Sequence, residues 1–248
     1  MSDFGHHGVA TSAQTLPPGA RIERHRHVLH QIVNPSSGAV SVTTPAGTWI
    51  APANRAIWVP AGCWHEHTFH GHTQFHGVAL DPGRYRHGPA APAVLAVGPL
   101  MRELIIACSR TPATDTDEHH RMLAVLHDQV RTSGREPLWA PTPVDDRLRR
   151  ACALIAENLR EPLTLQQIGH RVGAGQRTLS RLFGVELGMT FPQWRTQLRL
   201  QHALVLLAER RDVTSVASEC GWATSSAFID TYRRAFGHTP GRVAAKAV

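Results

Sequence analysis

The stretch Leu163-Thr-Leu-Gln-Gln-Ile-Gly169, followed by the turn Gly173-Ala-Gly175 and then Gln176-Arg-Thr-Leu-Ser-Arg-Leu-Phe183, decides the fold of the C-terminal half of this chain. Thr164 and Gln167 have capping-box spacing and start one helix. Leu165, Ile168 and Val172 recur at helical spacing and form its inner face. The turn glycines remove the Cβ strain of a sharp reversal. Leu179, Leu182 and Phe183 fix the buried stripe of a second helix, from about Gln176 to Leu187. That stripe leaves Gln176, Arg177, Ser180 and Arg181 exposed early in the helix. In a helix-turn-helix these positions reach base edges, arginine pairing with guanine and glutamine with adenine. The small Gly169 predicts a close crossing of the two helices.

The unit occurs twice. Gly188-Met-Thr190 returns as Gly237-His-Thr239, and Phe183 as Tyr232, at an offset of 49 residues. In the second copy Val213, Val216, Ala217 and Cys220 pack, Gly221-Trp-Ala223 turns, and Ser225–Phe236 is the second reader. Phe228, Tyr232 and Phe236 form its buried stripe. Ser225, Ser226, Ile229 and Asp230 are exposed early in it, and Arg233 and Arg234, further along, suit phosphates. A long helix from Phe191 to about Glu209 joins the copies. Two rigidly joined readers match successive major grooves about 34 Å apart.

Charge supports a polyanionic partner for this half. Residues 144–248 hold 15 Lys+Arg and 9 acids, 15 − 9 = +6, while residues 1–143 hold 11 and 10, 11 − 10 = +1. A helical module that binds protein is the plainer alternative, since charged faces are commonly just solvated. The repeat, the turn glycines and the charge balance favour double-stranded DNA.

These residues closely resemble the AraC/XylS family of transcriptional regulators. Besides the first unit, the matching text is Gly188-Met-Thr-Phe191, Leu198-Arg-Leu200, Val216-Ala-Ser-Glu-Cys-Gly221, Ser226-Ala-Phe228, Tyr232-Arg-Arg-Ala-Phe-Gly237 and Thr239-Pro-Gly241. The match spans roughly residues 145–242. The resemblance implies two helix-turn-helix units, promoter or operator binding, and activation or repression set by site position. Asp230 departs from the basic or amide residue expected on a reader helix. It accepts from cytosine N4 or else repels phosphate.

The N-terminal half differs. It holds 14 of the 17 histidines. Val40, Val42, Ile50, Ile57, Trp58, Val59, Phe69, Phe75 and Val78 are strand formers punctuated by Gly and Pro, so residues 19–80 read as short strands of a sandwich or barrel. Two helices follow, at about 99–109 and 116–132, joined by Arg110–Asp117. Gly19-x5-His25-x-His27-x3-Gln31-x6-Gly38 has the spacing of the first cupin motif, with Gln for the usual Glu. Pro60-x-Gly62-x2-His65 resembles the second, with Phe69 for its Asn and Asn54 for its first Gly. The resemblance covers about residues 15–82. It implies that His25, His27 and His65 converge inside a barrel, with Gln31 a poor fourth ligand.

Three neutral imidazoles suit Zn, Ni, Cu or Fe. The same pocket equally suits an organic effector without metal, or is purely structural. His30 lies off the face shared by His25 and His27. His67, His70, His72 and His76 follow, with spacings that bring several to one face. Neither a GxSxG nor a phosphate-loop motif occurs, so no catalytic residue is assigned.

The expected architecture is therefore α+β and multidomain, a cupin-like β-barrel with flanking helices before an all-α double helix-turn-helix domain. Residues 1–14 are a mobile tail, 15–134 a sensor and dimerisation domain, 135–143 a Pro-rich linker, and 144–248 the DNA-binding domain. The two helices after the barrel are the expected homodimer interface, because their apolar faces exceed what a small barrel needs; the alternative is that they pack on the barrel of their own chain. The chain reads as a regulator controlled by a small molecule or metal, with RNA polymerase a further candidate partner. The alternative is a metal-dependent cupin enzyme fused to a DNA-binding module. The absence of 18 consecutive apolar residues, the polar N-terminus and four unpaired cysteines point to a cytoplasmic protein without a membrane partner.

Overall fold

The computed structural model describes residues 11–110, 116–136 and 139–241. The chain divides into two units, one running to Pro45 and from Trp49 to Trp139, the other taking Ala46–Thr48 and the chain from Ala140.

The first unit is built on one long antiparallel pair of strands. Strand β3 (His30–Thr44) pairs antiparallel with β6 (His65–Leu80), from His30 opposite Leu80 to Thr43 opposite Glu66. The far edge of β6 carries β1 (Ser12–Leu16) and β2 (Arg21–His25) on different stretches. The far edge of β3 likewise carries β4 (Gly47–Pro52) and β5 (Arg55–Val59), and β5 leads through β7 (Ala93–Ala96) to β8 (Arg135–Glu136). Register slips between Pro35 and Ser37 and again between Ser37 and Ala39. At that bend Gly38 has φ 75°, and a Cβ there would meet Thr73 Oγ1 at 2.4 Å. Bulges of this kind bend the strand and increase its twist. The bend folds the strand pair on itself. Phe69 and Phe75, on either side of it, bring their rings to 5.3 Å, and His65 reaches Gln31 across the interior.

Sequence patterning reads residues 19–80 as short strands, but β3 and β6 run 15 and 16 residues. Each continues through a Gly-containing bend that looks like a terminus in sequence. Residues 12–14, expected in the tail, belong to β1, because their backbone pairs with the free edge of β6 from Ser12 opposite Gly77. Residues 135 and 136, expected in the linker, pair with β7 as β8. His6 and His7 lie outside the described residues, as do 111–115 of the expected inter-helix loop.

Two helices cover one face of this sheet, α1 (Pro99–Arg110) and α2 (Asp117–Thr132). Thr116 caps α2 by accepting from His119 N. Met101, Ile105, Cys108, Leu123, Leu126 and Val130 pack with Ile32, Trp58, Val78, Leu80 and Leu95 in one core. Their apolar stripes are therefore covered within the chain, which removes the reason given above for assigning them to a dimer interface. Leu100 and Val125 stay exposed.

After β9 (Trp139–Pro141) the second unit contains six described helices: α3 (Asp146–Glu157), α4 (Leu165–Val172), α5 (Gln176–Leu187), α6 (Phe191–Ala208), α7 (Val213–Glu219) and α8 (Ser225–Phe236). Both halves of the Thr164–Gln167 capping box form. A second box, Thr190 with Gln193, starts α6. Leu148, Ile168, Leu179, Phe183 and Trp194 share one core.

Ile105 is fully buried whereas Leu100 on the same helix is half exposed. Ile105→Ala should destabilise the protein by about 2–5 kcal/mol and Leu100→Ala by less than about 0.5 kcal/mol in urea unfolding.

Candidate functional site

The first reader is assembled by a tight turn. Gly173 ends α4 in the left-handed region at φ 70°, and Gly175 precedes α5. A Cβ on Gly169 would lie 2.3 Å from the carbonyl oxygen of Ala174. The close approach is thus between α4 and the turn backbone rather than between two helices. It fixes the angle at which α5 leaves. Leu179, Leu182 and Phe183 are buried, while Gln176, Arg177, Ser180 and Arg181 are exposed on one side. Arg177 and Arg181 make no hydrogen bond or ion pair with any described residue. Their guanidinium groups keep all five donors, the arrangement that base edges and phosphates use.

The second reader is built alike and charged differently. Gly221 (φ 78°) makes the turn, Thr224 caps α8, and Phe228, Tyr232 and Phe236 form its buried stripe. Ser225 is half-buried; Ser226, Asp230, Arg233 and Arg234 are exposed. Asp230 holds Arg233 at 2.8 Å, and Arg234 Nε donates to the Asp230 carbonyl oxygen at 3.3 Å. Both arginines expected on phosphates are thus engaged within α8. The exposed pair is worth little, about 0–1 kcal/mol, so a phosphate displaces Asp230 readily. Not every arginine of this unit is free for DNA: Arg195 and Arg199 on α6 donate to the carbonyl oxygens of Leu163 and Leu159 at 3.2 Å. They pin the α3–α4 connection, a role the sequence pattern does not reveal.

The first unit brings three expected histidines together. One ligand nitrogen from each of His25, His27 and His65 lies within 4.8 Å of the others. In each ring Nδ1 faces a backbone carbonyl two residues away: Glu23 at 2.8 Å, Leu29 at 2.7 Å and Cys63 at 2.9 Å. A carbonyl only accepts, so Nδ1 carries the proton and Nε2 keeps its lone pair. Nε2 of His25 and of His27 is buried without a hydrogen-bond partner. Nε2 of His65 lies 3.1 Å from Oε1 of the fully buried Gln31. Two acceptors face each other favourably only around a shared cation, or when the amide turns its NH2 inward. Three fixed tautomers with convergent Nε2 lone pairs form the donor set of a divalent ion, and the carbonyls behind them are the supports such ligands use.

Burial sets the charge of this cluster. It pushes His65 down to about 3 and also lowers His27, with the neighbouring His25 adding to both. His27 and His65 are therefore neutral, as ligation requires. Behind them lies His67, held well below its ordinary value by burial and then by His65, His25 and His27. The remaining histidines do other work. His30 Nδ1 accepts from Ala61 N at 3.0 Å. His70 bonds Ser41, and His76 lies between Ser36 and Ser109. His72 is exposed. Strand alternation separates inward His65 and His67 from His70 and His72. The carbonyl supports were not legible in sequence, since any residue offers a carbonyl.

Two matched helix-turn-helix units with a basic balance define a double helix-turn-helix DNA-binding protein. A helix-turn-helix domain family matches residues 168–246. The chain is 29% identical over 224 residues to the HTH-type transcriptional regulator NimR of Escherichia coli K12, covering 90% of this chain and 82% of that protein. It is 31% identical over 121 residues to the HTH-type transcriptional activator RhaR of Klebsiella pneumoniae, covering 48% of this chain but only 42% of that protein. A solved AraC-type regulator from Chromobacterium violaceum is 31% identical over 41% of this chain and 95% of its own, with a TM-score of 0.38. The chain is a DNA-binding transcriptional regulator with a helix-turn-helix domain over residues 168–246, similar to regulators of the AraC/XylS family; the relatives it matches are regulators, not enzymes. Among the described residues no helix is long and apolar enough to cross a membrane.

The cluster makes the metal-free protein acid-sensitive. Above pH 6.5 His27, His65 and His67 are neutral both folded and unfolded and contribute nothing to the pH dependence. Below it the unfolded chain binds protons that the folded interior refuses. Stability then falls by about 1.4 kcal/mol per pH unit for each such histidine, continuing to about pH 3 for His65. Hydrogen exchange of β3 and β6 amides in chelator at pH 7.5 and 5.5 should show the loss, and His65→Phe should reduce it.

Proposed function

We propose that this regulator binds promoter DNA through both reader helices under the control of a divalent metal ion held in the N-terminal unit. The observation that carries the metal reading is the set of three Nδ1–H···O=C bonds, which aim three Nε2 lone pairs into one buried place. His25, His27 and His65 would hold the ion, with the Gln31 amide oxygen as the weak fourth donor. A bound ion supplies a cross-link between β2, β3 and β6 that the empty donor set lacks. The effect on DNA affinity and the effect of DNA on metal affinity must be equal, by linkage.

On the DNA side, Gln176, Arg177, Ser180 and Arg181 read base edges. Ser225, Ser226 and Asp230 form the second reading face, where Asp230 selects cytosine, and Arg233 and Arg234 contact phosphate. Homodimerisation, contact with RNA polymerase and a cytoplasmic location complete the proposal. A tail to about residue 14 and a linker at 135–143, as bounded from the sequence, are modified where β1, β8 and β9 claim their residues.

The test is fluorescence anisotropy of the full-length protein on DNA upstream of its own gene, across a salt series, with Zn²⁺ or Ni²⁺ and with chelator. Sequence-selective binding that shifts with metal supports the proposal, and the shift should vanish in His25→Ala. Identical binding in metal and chelator overturns the metal control. Arg181→Ala should cost about 1–3 kcal/mol on the cognate site and relax selectivity at one base pair. Equal loss on every sequence would assign Arg181 to phosphate instead.

A further inference from the structure

We propose that the histidine cluster takes up its divalent ion together with a small anion of carboxylate size, and that His67 donates the N–H that holds this anion. The inference rests on the metal reading above. Its first support is charge. His25, His27 and His65 offer ring nitrogens and Gln31 an amide, none of which supplies a negative charge. The electrostatic influences on His27, His65 and His67 come from other histidines, not from any carboxylate. Glu23 contributes only its backbone carbonyl, and Glu66 lies 3.9 Å from Arg21. A divalent ion here brings two positive charges into a buried site whose lining supplies no negative charge. Burying charge without compensation is costly, so the ion needs a counter-charge from outside the chain.

The second support is His67 itself. It is 1% exposed, and neither of its ring nitrogens has a hydrogen-bond partner. A neutral imidazole always carries one N–H, and leaving it unmade in a dry interior is unfavourable. Two of the rings around His67 are Phe69 and Phe75, at 6.1 and 5.9 Å, which accept no ordinary hydrogen bond. The other two are His65 and His25, at 5.1 and 5.6 Å. The acceptor for His67 is thus expected on the side of the ligand cluster, where the counter-charge is needed. Arg24 and Arg26 are exposed on either side of His25 and draw anions toward it. The anion, rather than the metal alone, then becomes the variable that the regulator senses.

The experiment uses the full-length protein loaded with Co²⁺, whose visible absorption reports its ligands, and azide and formate as probes. The expected result is a saturable spectral change on adding either anion. His67→Phe should keep its Co²⁺ affinity while weakening azide about tenfold or more, the loss of a charge-assisted hydrogen bond. Gln31→Glu should bind Co²⁺ and lose the azide response, because its carboxylate supplies the missing charge from within. Were Co²⁺ not to bind the wild-type cluster, the metal reading would fall and this inference with it. A Co²⁺ spectrum that neither anion alters overturns the anion alone. So does an azide affinity that is the same in wild type, His67→Phe and Gln31→Glu.

Discussion

The bend in the antiparallel β3–β6 pair is the constraint on which the N-terminal unit depends. Two strands of 15 and 16 residues, paired along their length, present alternate side chains to each face. Left flat, they would hold His65 and Gln31 far apart, one near the start of β6 and the other beside its end. The bulges around Ser37 and the left-handed Gly38 turn the ribbon over, and His65 then meets Gln31 at 3.1 Å. The same fold sets Phe69 edge-on against Phe75 and closes the interior beside the histidines. Hydrophobic closure and ligand convergence are one event in this architecture.

That closure explains why His27 and His65 are neutral and why the three rings have a fixed orientation. In water each imidazole would exchange tautomers freely. Inside, Nδ1 has a carbonyl within hydrogen-bond reach in all three rings, and burial disfavours the charged form of His27 and His65. What remains is a set of lone pairs with nowhere internal to go. Such unsatisfied polar groups are rare in folded proteins and concentrate where a ligand is expected. His67 belongs to the same category, one layer further in.

The two helix-turn-helix units share a frame and differ in electrostatics. Gly173 and Gly221 turn the chain in the same left-handed conformation, and Phe183 and Tyr232 anchor equivalent buried stripes. Yet α5 presents Arg177 and Arg181 unengaged, while α8 carries an acid that engages its own arginines. Two copies of one fold thus meet DNA with unequal charge. The first is suited to base contacts through arginine, and the second needs a partner that tolerates or uses Asp230.

The C-terminal unit was largely legible in the sequence, because helices carry their instructions locally. Apolar spacing at i, i+3 and i+4, the Thr164–Gln167 box and the turn glycines are contacts within a few residues, and the structure realises them. The roles of Arg195 and Arg199 were not legible, since their carbonyl partners lie more than 30 residues away. In the N-terminal unit the sequence determined which residue types were on offer: His25 and His27 at strand spacing, His65 after Gly62, and glutamine where an acid is usual. It did not determine that β1 and β8 join the sheet, nor that α1 and α2 spend their apolar faces on it. Only the tertiary structure decided which carbonyl holds each ring, which histidines face inward, and that His67 has no partner. Strand pairing and hydrogen-bond satisfaction are long-range, and a period of two says which face a residue shares but not what lies across from it.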